Sequence, residues 1–136
     1  MNSVSGQAGL SLMELLVVMA IIGIISAIAL PQYQQYTRET RRVAAQSALS
    51  DAQTRQEQFF LDNKTYTTTV GAGGLNMATT TDGGFYALSV TNPTGCVIAS
   101  CFVLTATPQS VGNQTSDICG TLNLQSDGSK TPNECW

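Results

Sequence analysis

The alternation of apolar and polar positions changes character along the chain. Residues 15–30 pass without a charge, and extending the run back to Leu10 gives 21 residues carrying one, Glu14. At a rise of about 1.5 Å per residue such a run spans roughly 30 Å, the hydrocarbon thickness of a bilayer. It is apolar on every side, as a buried or membrane helix is. Further on the pattern turns amphipathic. Ala45, Ala48, Leu49, Ala52, Phe59 and Phe60 recur at spacings of three and four, with Gln56 interrupting. Arg41, Arg42, Asp51, Arg55 and Glu57 fall mostly on the other faces. Ala, Leu, Met, Gln, Arg and Glu dominate throughout and favour helix. The pattern predicts one long helix over residues 10–61. Pro31 lies inside it. A proline there removes a hydrogen bond and crowds the preceding turn, which predicts a bend near residues 27–31, unless Pro31 opens a second helix.

After the helix the period of 3.6 is lost. Residues 62–84 collect Thr and Gly and read as a loop. Residues 85–90 alternate, residues 96–107 are apolar and rich in β-formers, and residues 121–124 alternate again. Asp127-Gly128 marks a hairpin turn before a last short segment. Three or four antiparallel strands follow, and such a sheet needs a cover on one face. The amphipathic half of the helix supplies it, so the fold class is α+β.

Composition narrows the chemistry. Only 11% of the 136 residues are charged, 6 Lys and Arg stand against 9 Asp and Glu, and there is no His. Ser-His-Asp and Cys-His catalysis and every His-ligated metal site are excluded. Nine carboxylates, four Cys and two Lys make a poor catalytic inventory, so the chain reads as a non-enzyme without metal or cofactor. The cysteines, Cys96, Cys101, Cys119 and Cys135, all lie late and lack the paired C-x-x-C spacing of zinc sites. Behind an apolar N-terminal run they read as two disulfides formed in an oxidising compartment. Cys119 and Cys135 flank the last strand and its turn, which favours pairing those two, and Cys96 with Cys101. Four cysteines nevertheless allow three connectivities, and spacing does not choose among them. Arg38, Arg41 and Arg42 would draw the downstream side into the cytoplasm. The cysteines point the other way and carry more weight.

Glu14 is the sharpest candidate residue. A carboxylate in a membrane span costs about 2.5–3.5 kcal/mol on insertion scales and asks for a cationic partner. The plainer reading leaves it among headgroups, favoured by the helix dipole. Gly23, Ser26 and Ala27 form a small-residue patch, a weak signal for helix contact.

The residues Gly9-Leu-Ser-Leu-Met-Glu14, the apolar run after them and Pro31 resemble the processing signal of type IV pilins and pseudopilins. The resemblance implies that a membrane aspartyl peptidase cuts between Gly9 and Leu10 and methylates the new terminus. Glu14 and Pro31 then occupy the family's acidic and helix-kinking positions, and Glu14 would meet the Leu10 amine of a neighbouring subunit during assembly. Leu10 replaces the usual aromatic residue, and the leader lacks Lys and Arg. Residues 56–66, residues 101–108, Cys119-Gly-Thr-Leu and the terminal Cys135-Trp136 are similar to PilE-type minor pilins, a group that includes the DNA-uptake receptor ComP. The fold implied is that of type IV pilins, a long N-terminal helix packed on a small antiparallel sheet with a disulfide-stapled C-terminal region. Residues 1–9 would be the leader, 10–35 the transmembrane and assembly helix, and 36–136 the head.

The function implied is that of a structural subunit of a type IV pilus, first a minor pilin serving pilus biogenesis, adhesion, twitching motility or DNA uptake. A major pilin and a DNA-uptake receptor are the alternatives. Partners would be other pilin subunits, the prepilin peptidase/N-methyltransferase, an inner-membrane assembly platform and the membrane itself. The chain would sit in the inner membrane with its head in the periplasm, then in the surface pilus. From Phe60 onward Lys64 and Lys130 face five acids, which speaks against nucleic acid as a partner. The scattered acids of the C-terminal loop likewise speak against the calcium site of secretion pseudopilins.

Overall fold

A computed structural model describes residues 11–136; Gly9 and Leu10 lie outside the described residues. The chain divides into two compact units, Met1–Tyr36 and Thr37–Trp136. One helix, α1 (Leu12–Asn63), contributes to both and contains Pro31. It continues through that proline, so Pro31 does not open a second helix.

In the first unit α1 presents its apolar side chains outward. Leu12, Leu16, Ile21, Ile24, Ile28 and Leu30 are all exposed. This stretch is long and apolar enough to cross a membrane.

The second unit holds the core. Its sheet has four antiparallel strands in the order β1 (Tyr86–Thr91), β2 (Val103–Pro108), β3 (Leu122–Gln125), β4 (Lys130–Thr131). Tyr86 pairs with Pro108, Leu104 with Leu124 and Leu124 with Lys130. Because side chains alternate across a strand, Tyr86, Leu88, Val90, Leu104, Ala106, Leu122 and Leu124 all face inward. Ala45, Leu49 and Ala52 of α1 complete this core, together with Phe102, Val70 and Leu75. The alanines let the helix backbone approach the sheet closely.

The structure departs from the sequence pattern at three places. Residues 96–102 are not strand: residues 98–100 form a turn, in the short loop that the Cys96–Cys101 disulfide closes. Gln56 does not interrupt the buried face but belongs to it, fully buried. Its Nε2 donates to the Thr67 carbonyl at 2.6 Å and its Oε1 accepts from the Thr67 amide at 3.0 Å, so both ends of the amide are satisfied. Phe59, placed by periodicity on the core face, is half-buried and stays outside the core cluster.

The β3–β4 turn forms where Asp127-Gly128 predicts it. Gly128 adopts φ +84°, a conformation open to glycine. The Asp127 carboxylate accepts from the Ser129 hydroxyl at 2.7 Å and amide at 2.9 Å, and these bonds hold its carboxyl below the usual range.

Candidate functional site

The candidate residues fall in two places, the N-terminal helix and the C-terminal region of the head. On the helix, Glu14 lies in the first turn of α1. Its flanks, Met13, Leu15, Val17 and Val18, are exposed and apolar. The first unit therefore carries one carboxylate set in a continuous apolar surface.

In the head, the four cysteines form two bridges, Cys96–Cys101 and Cys119–Cys135. The second closes the C-terminal segment, which carries β3, its hairpin and β4. Gln46 of α1 donates to the Cys135 carbonyl and ties that segment to the helix. Lys130 Nζ stands 4.7 Å from the Trp136 ring centroid, and Trp136 Nε1 donates to the Thr131 carbonyl at 3.4 Å.

A buried polar cluster underlies this region, and sequence periodicity does not reveal it. Asp117 is its centre. Its carboxylate accepts from Arg42 Nη1 at 2.8 Å, from the Tyr86 hydroxyl at 3.0 Å, from Gln114 Nε2 at 3.1 Å and from the Cys119 amide at 3.0 Å. Arg42 also reaches Cys119 Sγ. Gln114 Nε2 donates further to the Tyr86 hydroxyl at 3.0 Å and to the Arg38 carbonyl at 3.1 Å. Helix, sheet and the disulfide-bearing loop thus meet at one carboxylate. Burial, aided by the nearby Asp117 charge and opposed by the Gln114 bond, pushes the Tyr86 phenol up to about 12. Arg42, assigned by periodicity to an outer face, points into the head with a side chain only 14% exposed. Arg41 beside it lies 3.9 Å over the Phe85 ring centroid and donates to the Gly112 carbonyl at 2.9 Å. Gly112 has φ +58°, and a Cβ there would stand 2.5 Å from Arg41 Nη1, so the contact depends on glycine.

This arrangement fastens a loop and supplies no reacting centre, since Asp117 is saturated by donors and Arg42 is neutralised.

The sequence matches two family models. Residues 31–123 match the family described as type IV minor pilin ComP, DNA uptake sequence receptor. The chain belongs to this family of type IV minor pilins. Residues 4–30 match the prokaryotic N-terminal methylation motif. Among solved structures, a type IV pilin from Shewanella oneidensis superposes with a TM-score of 0.54 at 27% identity, covering 73% of this chain and 97% of that one. No curated protein matches. The minor pilin has the type IV pilin fold, a structural fold built for packing against other pilins. The methylation motif marks it as a prepilin that undergoes processing, and the apolar helix fits membrane anchoring before assembly.

Proposed function

We propose that this minor pilin is cut between Gly9 and Leu10, methylated on Leu10, and held by residues 10–35 in the inner membrane with residues 36–136 in the periplasm. From there it joins other pilins through the same helix, drawn out by the assembly platform. The observation that carries this reading is the exposed apolar surface of α1 with Glu14 set into it. A carboxylate removed from water asks for a cation, and the amine freed at Leu10 of a neighbouring subunit supplies one. A subunit out of register leaves its charge unpaired and is penalised. The two disulfides support the periplasmic orientation. The arginines that would argue otherwise have structural work in the head, Arg42 with Asp117 and Arg41 with Phe85.

Replacing Glu14 by Ala tests the reading. We expect normal removal of the leader and normal abundance in membranes, with at least a tenfold loss from sheared filaments. Unchanged incorporation would contradict the proposed pairing.

A second reading rests on the family match, whose description names a DNA uptake sequence receptor. Lys64 and Lys130 have no carboxylate partner among the described residues, whereas Arg42 and Arg55 are paired with Asp117 and Asp51. Arg38 and Arg41 likewise have no carboxylate partner among the described residues, but Arg41 is committed to Phe85 and the Gly112 carbonyl, and a net charge of -3 opposes phosphate. Duplex mobility at low salt decides: a shift at about 10 µM protein supports DNA binding, and none ends it.

A further inference from the structure

The end of α1 and the loop that follows line a half-open recess of about 350 Å³ whose chemistry matches no role assigned above. That volume lies at the lower end of the roughly 300–1,000 Å³ seen for small-molecule sites. Phe59 lines it, with Arg55, Gln58, Asp62 and Asn76 around it and the backbone at Gly73 and Gly74 as one wall.

Phe59 is the first unusual feature. The neighbouring Phe60 stacks on Tyr66 at 4.8 Å between ring centroids, and Tyr66 in turn packs on the core residue Phe102. Phe59 takes no part in the core or in any such ring pair. A ring outside the core, half-buried and lining a recess, keeps a face available to a ligand.

The second feature is the set of polar groups around that ring. Among the described residues, the side chains of Gln58, Asp62 and Asn76 bond to no other group of the chain. They supply amide donors, amide acceptors and a carboxylate, all planar. The Arg55 guanidinium is already engaged, by Asp51 at 3.0 Å and by the Leu75 carbonyl at 3.2 Å.

Charge then selects the ligand class. With Arg55 neutralised by Asp51, Asp62 leaves the recess negative, which repels phosphate and other anions. A small cation would use the acceptors and leave the two amide N–H groups idle. A neutral polyol uses both, because each hydroxyl donates and accepts. An apolar face of C–H groups beside those hydroxyls completes the match to an aromatic ring.

We propose that this recess binds a neutral pyranose sugar, stacked on Phe59, with its hydroxyls held by Gln58, Asp62 and Asn76. The site lies in the head and stands independently of the processing and assembly reading.

Saturation-transfer difference NMR on the full chain tests it, in a sugar-free micelle such as dodecyldimethylamine oxide. The probes are methyl glucopyranoside, methyl galactopyranoside, methyl mannopyranoside and methyl N-acetylglucosaminide. We expect transfer to the ring protons of at least one glycoside at about millimolar concentration. Phe59→Ala should abolish it, Phe59→Tyr should retain it, and Asp62→Ala should weaken binding about tenfold. Gln58→Ala, at an exposed position, gives a partial loss and keeps the test valid if Phe59→Ala does not fold. The proposal is overturned if no glycoside shows transfer, if transfer survives both Phe59→Ala and Asp62→Ala, or if a single-stranded oligonucleotide or an alkylammonium ion binds the recess while the glycosides do not.

Discussion

At the scale of single residues, Asp117 carries the most consequence. It accepts four hydrogen bonds from three parts of the fold, and its side chain is only 2% exposed. Asp117→Ala removes the closer and more buried of the two carboxylates on Arg42, leaving only Glu39 at 3.8 Å, and leaves the Tyr86 hydroxyl without its acceptor. Loss of one partner of a buried pair costs about 3–5 kcal/mol. We expect a destabilisation of that order in urea unfolding, and a smaller one for Asp117→Asn, which keeps the shape. Tyr86 makes a pH-dependent prediction. Its phenol is raised from 10.0 to about 12 in the folded protein. The folded value lies above the unfolded one, so the contribution is complete below pH 10 and fades as pH climbs from about 10 to 12. Stability followed across that window should fall less steeply for Tyr86→Phe than for the parent. The same slope in both would contradict the assignment. Tyr66, raised by burial and by the nearby Glu57, leaves a residual slope in each.

At the scale of elements, the helix and the strand cores were legible because their periodicity is strong and their apolar faces are continuous. The expected helix over residues 10–61 compares with Leu12–Asn63, and the expected strand over residues 85–90 with Tyr86–Thr91. What escaped the pattern depends on partners distant in sequence. Arg42 and Asp117 are 75 positions apart, and no local rule joins them. Gln56 looks polar in a helical stripe until the Thr67 backbone is brought against it. Residues 96–102 have strand composition but include the short loop that a local disulfide closes. The recess at Phe59 escaped for the converse reason, since an aromatic at core spacing reads as core. Gln56 yields the element-scale prediction. Gln56→Ala strands the Thr67 amide and carbonyl, at about 1–3 kcal/mol for the unsatisfied groups. The loop after α1 should then become the first site of limited proteolysis, and hydrogen exchange at Thr67 should accelerate. Unchanged protection there would show that the loop is held by Val70 and Leu75 alone.

At the scale of the whole molecule, the two units divide the labour of a filament subunit. The first unit exposes an apolar helix with one acidic residue, a surface that only a membrane or a bundle of like helices can cover. The second closes its own core and ties its C-terminal segment down by a disulfide and a buried ion pair. A head that is stable in itself lets the same subunit exist first in a membrane and then in a fibre without refolding. The membership shown by residues 31–123 and the methylation motif at residues 4–30 agree with that division. The most direct test is quantitative mass spectrometry of filaments sheared from cells, reading the N-terminal peptide of this chain and its amount against the other pilins. We expect a methylated terminus at Leu10, present as a small fraction of total pilin. A chain found only in membranes and still beginning at Met1, or one forming the bulk of the filament, would contradict that expectation.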